Sequence, residues 1–396
     1  MKKLLSNTKK AAVGIALCTT MLTSANAGLL VTDLGIQQPK ILAGGNSGDQ
    51  APPVPAGDFT GVVSINIRYD ADGDGARDSF ICTGSVVSQR HVVTAAHCVD
   101  ETGTGVVVDI NNPMNDVRVI FNDGGDWATG SAADSLVTAA SVAIHPDYEG
   151  FGICGPGDNP GFGSQCLNDD VAIIELPSDV PDGVEIYDFY RGVEPLGDDT
   201  ILKLADGNTF FTMVGHGTGG NGIDGDSFSP DFFVKRFGFN IPELFECDDE
   251  TSPVPGGFFS ADDCANNYGN AVEVWRADFD GVDENGVLQD FFCDVVGVGC
   301  GNFFGQDFSD IFEGSIGGGD SGGPSFVFDV IADKWVLIAN NTFGSGDGSF
   351  GSAFGGNFYA PYLSWINSFV ANVPAPAGAI FALSGLWLLR RKAKAA

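Results

Sequence analysis

The sequence predicts an all-β protein, built from short antiparallel strands that form a barrel or a sandwich. Runs rich in valine, isoleucine and phenylalanine alternate with turns rich in glycine, aspartate, asparagine and serine, and this spacing is typical of both architectures. One short globular helix is predicted over residues 361–370. The predicted strands cover residues 61–68, 80–87, 91–95, 117–121, 171–176, 210–214, 325–328 and 335–339.

Composition excludes several other classes of protein. The 396 residues include 19 Lys+Arg and 52 Asp+Glu, which gives a formal net charge of −33. Nucleic-acid binding needs a basic surface that neutralises phosphates, so no nucleic-acid partner is expected. The chain is 43% hydrophobic and can bury a core, which argues against wholesale disorder. Its 56 glycines and the absence of a heptad pattern argue against a coiled coil.

Both ends of the chain carry targeting patterns. Four lysines precede the apolar run 11–22, and an Ala-x-Ala sequence ends at Ala27. This pattern predicts a secretory signal peptide over residues 1–27, since the apolar run is too short to span a bilayer. Export makes disulfides the expected state of the eight remaining cysteines. A zinc site is disfavoured because the chain has no Cys-x-x-Cys sequence and only four histidines.

The C-terminal segment 371–396 joins a Val-Pro-Ala-Pro sequence to the apolar run 377–389 and then to four basic residues. It resembles the PEP-CTERM sorting signal of Gram-negative bacteria. The resemblance implies a tail that inserts in the inner membrane, with its basic end in the cytoplasm, and is processed by a sorting enzyme. A simple membrane tether and a buried terminal helix are the alternatives.

Three motifs carry reactive side chains. A Thr-Ala-Ala-His-Cys sequence contains His97, Asp170 opens an apolar run, and Ser321 lies within Gly-Asp-Ser-Gly-Gly-Pro. Together they supply the imidazole, carboxylate and hydroxyl of a Ser-His-Asp nucleophilic system. The glycines beside Ser321 allow backbone N–H groups to converge where negative charge develops.

These motifs, in the order His, Asp, Ser, resemble those of chymotrypsin/trypsin-like serine endopeptidases over roughly residues 41–370. The resemblance implies two antiparallel six-stranded Greek-key barrels, at about 41–185 and 186–370, with a short C-terminal helix and long loop insertions. It implies catalytic His97, Asp170 and Ser321, with an oxyanion hole formed by the N–H groups of Gly319 and Ser321.

Further assignments follow from the same resemblance. Cys82 and Cys98 match the pair that bridges the histidine strand, so we expect a disulfide between them. Asp169 is an alternative to Asp170 for the acid, but Asp170 directly precedes the Val-Ala step that follows the family's aspartate. His216 lies in a Gly-His-Gly sequence that resembles the family's Gly-Trp-Gly, which indicates a structural role.

The sequence beginning at Lys40 and Ile41 resembles a zymogen activation site. Cleavage after Lys40 would release residues 28–40 as a propeptide and free an amine on Ile41 that pairs with Asp320. A buried charge is tolerated when it is paired, so this new terminus would order the oxyanion hole. A linker with a chance Lys-Ile step is the alternative.

The specificity pocket is predicted from the position six residues before the nucleophile, which is Ser315. Its neutral side chain favours an apolar or aromatic substrate residue. Thr342, Phe343 and Gly344 are the expected pocket walls. A shifted loop that brings Glu313 or Asp310 into the pocket would instead make it negative.

No organic cofactor or catalytic metal is expected, and structural calcium is left as an alternative. The sequence from Asp70 to Gly75 resembles the start of an EF-hand loop, but Ile81 stands where that loop needs glutamate. A hairpin turn with solvated carboxylates is favoured there. A second acidic group, which makes a weaker case for calcium, comprises Asp278, Asp280, Asp283 and Glu284.

The leading functional hypothesis is an exported serine endopeptidase that acts on protein or peptide substrates, outside the cell or at the cell envelope. A catalytically silent protease-like module for binding or adhesion is the alternative from another class. An ester hydrolase would share the same chemistry.

Overall fold

Strands account for most of the regular structure in the computed structural model of the chain. The residues described are 42–43, 54, 58–121, 136–161, 165–190, 211–226, 235–250, 264, 271–297, 313–329 and 334–370. The predicted signal peptide, propeptide and C-terminal tail, together with Lys40 and Ile41, lie outside these residues. Within the described ranges, no helix has both the length and the apolar character needed to cross a bilayer.

The first strand, β1 (Leu42–Ala43), belongs to a small separate sheet. The next seven strands form one antiparallel sheet with the order β6-β5-β2-β3-β4-β8-β7. These strands are β2 (Val62–Tyr69), β3 (Asp78–Ser88), β4 (His91–Thr94), β5 (Asp116–Ile120), β6 (Leu136–Thr138), β7 (Ser141–Ile144) and β8 (Ala172–Glu175).

This sheet closes on itself because its two edge strands are consecutive in the chain. Only Ala139 and Ala140 separate β6 from β7. The Ala139 N–H donates to the carbonyl of Val117 in β5, and the Ala140 N–H donates to the carbonyl of Glu175 in β8. One bent segment therefore supplies both edges, and six chain segments form a closed barrel. Closure leaves no exposed sheet edge.

The second half of the chain forms two antiparallel sheets with the orders β11-β9-β17-β18 and β12-β13-β20-β19. The strands are β9 (Phe211–Gly215), β10 (Gly220–Asn221), β11 (Arg236–Asn240), β12 (Leu244–Cys247), β13 (Val272–Asp278), β14 (Gly281–Val282), β15 (Leu288–Gln289), β16 (Gly314–Ser315), β17 (Pro324–Asp329), β18 (Lys334–Asn340), β19 (Phe343–Gly344) and β20 (Ala353–Asn357). The helices are α1 (Phe291–Val295) and α2 (Leu363–Val370).

The two sheets are joined into a second barrel at both sides. Three residues connect β11 to β12, and a bridge between Ala339 and Phe358 connects β18 to the end of β20. Both barrels have the same Greek-key topology, since β5 returns to pair with β2 and β17 returns to pair with β9.

Apolar side chains fill each barrel and the seam between them. Ile65 and Val119 are among the buried residues of the first barrel, and Trp275 and Phe354 are among those of the second. A third buried group contains residues from both barrels together with Ile366 of α2. The C-terminal helix therefore packs across the seam, where burial of apolar surface stabilises the contact.

The predicted all-β fold and its short C-terminal helix are confirmed. The pattern missed β13, whose seven residues are all buried although three of them, Glu273, Arg276 and Asp278, are charged. It also missed β20, which contains two adjacent glycines. Hydrophobic alternation identifies strands poorly when the buried face carries charges or glycine.

Candidate active site

His97 lies just beyond the end of β4, in a segment fixed from both sides. Ala95 and Ala96 are fully buried, so the chain runs through the core immediately before His97. A disulfide joins Cys98 to Cys82 of β3, with an S–S distance of 2.03 Å. Further disulfides join Cys154 to Cys166 and Cys247 to Cys264.

Asp170 holds His97 through two hydrogen bonds. Its Oδ2 lies 2.6 Å from the imidazole Nδ1, and its Oδ1 accepts the His97 backbone N–H at 2.8 Å. Asp170 is 1% exposed, and its carbonyl accepts a hydrogen bond from Asn340 of the second barrel. Burial lowers the pKa of His97, but the charge and hydrogen bond of Asp170 outweigh it, so the pKa is raised overall. This arrangement fixes the tautomer and stabilises an imidazolium.

Asp169, the alternative acid, faces a different histidine. Its backbone has a φ of 60°, in the left-handed region that aspartate tolerates better than most residues. Its N–H donates to the Tyr362 hydroxyl, and its Oδ1 lies 3.1 Å from Nδ1 of His145. The left-handed turn thus sends the two adjacent carboxylates to different imidazoles, and Asp170 is the one that contacts His97.

Ser321 lies in a tight turn that depends on glycine. Gly322 has a φ of 78°, and a Cβ there would lie 2.1 Å from Thr94 Oγ1. Gly319, on the other side, has a φ of 101°. Cys98 Sγ lies 3.8 Å from His97 Nε2 and 3.6 Å from the Ser321 carbonyl oxygen. The His97 imidazole and the Ser321 carbonyl therefore both lie close to the Cys98 sulfur. Within the described residues, Ser321 Oγ makes no hydrogen bond with His97.

Thr83, which no sequence motif indicated, connects the turn that carries Ser321 to the first barrel. Its N–H donates to the Ser321 carbonyl at 2.8 Å. Its Oγ1 donates to the Gly319 carbonyl at 2.9 Å and accepts the His216 N–H at 3.0 Å. A buried threonine beside a cysteine has no distinctive sequence signal, so only the fold reveals this contact.

Asp320 is held in a cavity that two glycines leave open. It accepts the Gly217 N–H at 2.7 Å and the Gly317 N–H at 2.8 Å. A Cβ on Gly215 would lie 2.0 Å from its Oδ1, which explains the glycines around His216. Burial raises the pKa of Asp320 to about 6 despite both N–H donors. Burial also lowers the pKa of His216 to about 3, so this imidazole is neutral.

The backbone that follows Ile41 lies next to the predicted pocket. β1 pairs in parallel with β10 and antiparallel with β16, with Leu42 opposite Ser315. Gly317, two residues after Ser315, donates to Asp320. The segment that would carry a new terminus therefore reaches the neighbourhood of Asp320.

A pocket of about 220 Å³ lies beside Ser321 and is lined by Ser315, Thr342, Phe343 and Gly344, the four predicted residues. Ser315 is 2% exposed. Phe354 and Asp226 also line the pocket, and the sequence did not predict them. Glu313 is not among the lining residues. Phe151, which is 44% exposed, places its ring 4.9 Å from that of His97.

Several groups of carboxylates lie close enough to hold a cation. The first, Asp70, Asp72 and Asp78, belongs to the hairpin between β2 and β3, where Asp72 and Asp78 accept backbone N–H groups. A second comprises Asp169, Asp249, Glu250 and Glu273. Asp280, in the second barrel, also lies near other carboxylates, those of Asp278 and Asp290. Burial raises the pKa of Asp280 to about 9 and that of Asp249 to about 8.

Comparison with known proteins agrees with this geometry. Residues 50–213 match the Trypsin family. A segment of 142 residues is 28% identical to the venom serine protease Bi-VSP of Bombus ignitus, and it covers 36% of this chain. The chain spans about a third, 32%, of the length of that relative.

Fold, site and both comparisons support a chymotrypsin/trypsin-like serine protease. The family match includes His97 and Asp170 but ends before Ser321. The role of Ser321 therefore depends on its own motif and on the contacts made by its turn.

Replacing Thr83 with valine keeps the side-chain shape but leaves the Gly319 carbonyl and the His216 N–H without their buried partner. We expect the free energy of unfolding to fall by about 1–3 kcal/mol, measured by guanidinium denaturation. Thr212→Val is the matched control, because the buried Thr212 hydroxyl has no hydrogen-bond partner. Equal stability of the two variants would contradict the assigned role of Thr83.

The uncleaved chain should lose stability as pH rises. Asp320 has a folded pKa of about 6, above its ordinary value of 3.8. The contribution of Asp320 to the free energy of unfolding is therefore complete below pH 3.8 and is lost as pH rises through 6. At about 1.4 kcal/mol per pH unit, the loss amounts to about 3 kcal/mol. The raised pKa values of Asp249 and Asp280 also lower the free energy of unfolding as pH rises, in a higher pH range. Calorimetry between pH 4 and 9, in buffer free of divalent cations, should show a falling unfolding temperature; a constant or rising one would contradict the prediction.

Proposed function

We propose that this protein is an exported serine endopeptidase that cleaves peptide bonds through an acyl-enzyme on Ser321. The observation that carries the proposal is the pair of hydrogen bonds that Asp170 accepts from His97, one from the ring and one from the backbone N–H. A histidine fixed in this way is suited to general base catalysis next to a serine. The Trypsin family match supports protein or peptide substrates.

In the first half of the reaction, Ser321 Oγ attacks the scissile carbonyl carbon while His97 Nε2 accepts the hydroxyl proton. The carbon–nitrogen bond then breaks, and the imidazolium returns the proton to the leaving amine. In the second half, His97 takes a proton from a water molecule that attacks the acyl carbon. The bond from this carbon to Ser321 Oγ then breaks, and the imidazolium returns the proton to Oγ as the product acid leaves. The buried Asp170 carboxylate stabilises the imidazolium in both halves. The N–H groups of Gly319 and Ser321 are the proposed donors to the oxyanion.

The pocket supports a preference for apolar or aromatic substrate residues. Ser315 contributes no charge, and Phe343 and Phe354 contribute apolar wall. Glu313 packs instead with buried carboxylates behind β16, so it gives no support to a negative pocket. Asp226 is exposed, so its carboxylate remains solvated.

Activation after Lys40 is part of the proposal. The pairing of β1 with β16 supports it, because this pairing leads the chain from Ile41 toward the strand before Asp320. A charged amine there would compensate the buried carboxylate that the N–H groups of Gly217 and Gly317 only partly stabilise. Removal of residues 1–27 on export and processing of the tail 371–396 in a Gram-negative envelope complete the proposed maturation.

An active-site serine phosphonate tests the nucleophile. We expect it to label Ser321 in the mature protein, and Ser321→Ala should abolish labelling and lower peptide hydrolysis by roughly a thousandfold or more. Ser349→Ala, on an exposed turn, is the control and should be labelled like the parent. If Ser321 stayed unlabelled and Ser321→Ala left function unchanged, a binding or adhesion module would replace the protease.

Mass spectrometry of the secreted protein tests activation. We expect the active form to begin at Ile41, and Lys40→Gln to accumulate as an inactive precursor. Lys334→Gln, which changes an exposed lysine in the second barrel, should mature normally. Because the new amine lowers the cost of ionising Asp320, the cleaved form should lose less stability than the precursor between pH 4 and 7. A different N-terminus in the active form would contradict this switch.

A further inference from the structure

A group of buried carboxylates lies behind the strand that carries Ser315. Glu243 connects β11 to β12, Asp278 ends β13, Asp280 precedes β14, and Glu313 precedes β16. Asp278, Asp280 and Glu313 are 0%, 4% and 6% exposed. The four residues come from separate parts of the chain, and the fold brings them together.

The carboxyl groups are mutually close. Those of Glu243 and Asp280 each lie within hydrogen-bonding reach of the Asp278 carboxyl. The Asp280 N–H donates to Glu313 Oε2 at 3.2 Å. The charges that act most strongly on the Glu313 carboxyl belong to Asp280, Glu243 and Asp278. Four acidic groups therefore lie close together, three of them on buried residues and that of Glu243 on a partly buried one.

Half of the eight carboxylate oxygens in this group receive no hydrogen bond from a donor within the described residues. Both oxygens of Asp280, Oδ1 of Asp278 and Oε2 of Glu243 are buried and unpartnered. Asp278 Oδ2 accepts the N–H of Phe292 at 2.7 Å. Buried polar atoms are rarely left without partners because the loss of solvation is costly. A bound cation would coordinate several of these oxygens at once, whereas a shared proton serves only two.

We propose that Glu243, Asp278, Asp280 and Glu313 form a buried calcium site. The donors are all carboxylate oxygens, which hard cations prefer, and no histidine or cysteine is among them. Calcium accepts six to eight oxygens in irregular geometry, and Asp280 offers both oxygens for bidentate binding. Magnesium requires near-octahedral geometry and keeps several of its waters, which suits an enclosed group of carboxylates less well.

The position of the site suggests its effect on the protein. Glu313 directly precedes β16, which carries Ser315 and pairs with β1. A cation bound to Glu313, to Asp278 of β13 and to Asp280 would fix this strand against the barrel. The site does not include Asp283, a member of the acidic group noted in the sequence. The Asp283 carboxylate instead accepts the N–H groups of Asn285 and Val287 in its own turn. The inference does not depend on the proposed protease activity.

Isothermal titration of the full-length chain with calcium chloride tests the proposal, with Ser321→Ala as the parent to prevent self-cleavage. We expect saturable binding, tighter for calcium than for magnesium. Asp280→Asn and Glu243→Gln should each weaken it by roughly tenfold or more, since each removes a ligand charge. Failure of the parent to bind calcium at millimolar concentration would overturn the proposal.

Control variants separate this site from the other carboxylate groups. Asp283→Asn, in the same hairpin, should bind calcium like the parent, and so should Asp72→Asn and Asp249→Asn. Unchanged affinity in both Asp280→Asn and Glu243→Gln, or loss of binding only in Asp72→Asn or Asp249→Asn, would also overturn it. Glu313→Gln serves as a further ligand variant if either of the first two fails to fold, and its affinity should fall in the same way.

Discussion

The contact between the two barrels at Thr83 is the constraint on which the site depends. His97 and Asp170 belong to the first barrel, and Ser321 belongs to the second, so neither barrel contains the whole constellation. Thr83 joins them through its N–H to the Ser321 carbonyl and its hydroxyl to the Gly319 carbonyl. It also follows Cys82, whose disulfide partner follows His97. One short segment of β3 therefore sets the position of both reacting groups.

A second constraint is the buried charge of Asp320. The Gly-His-Gly turn leaves space for it, and two backbone N–H groups bind its oxygens, yet its pKa remains above the ordinary value. A buried carboxylate in this condition is sensitive to any nearby cation. The pairing of β1 with β16 places the segment at Leu42 and Ala43 beside the same region. The need to stabilise the buried Asp320 carboxylate therefore relates the segment at β1 to the pocket.

The acidity of the chain has an interior component. A formal charge of −33 suggests a solvated surface, but Asp278, Asp280 and Glu313 are all buried in the second barrel. Carboxylates at the surface affect solubility and long-range attraction, whereas carboxylates in a barrel core must be protonated or coordinated. Net charge alone does not distinguish these cases.

The sequence by itself determined the all-β class, the C-terminal helix, the three reactive motifs and four of the residues that line the pocket. These features depend on local pattern or on contiguous motifs, which a linear sequence preserves. The tertiary structure decided which of two adjacent aspartates contacts His97, because a left-handed backbone at Asp169 separates their side chains. It also decided the role of Thr83, the closure of both barrels and the grouping of Glu243 with Glu313. These features depend on contacts between residues far apart in the chain, and no local pattern records such contacts.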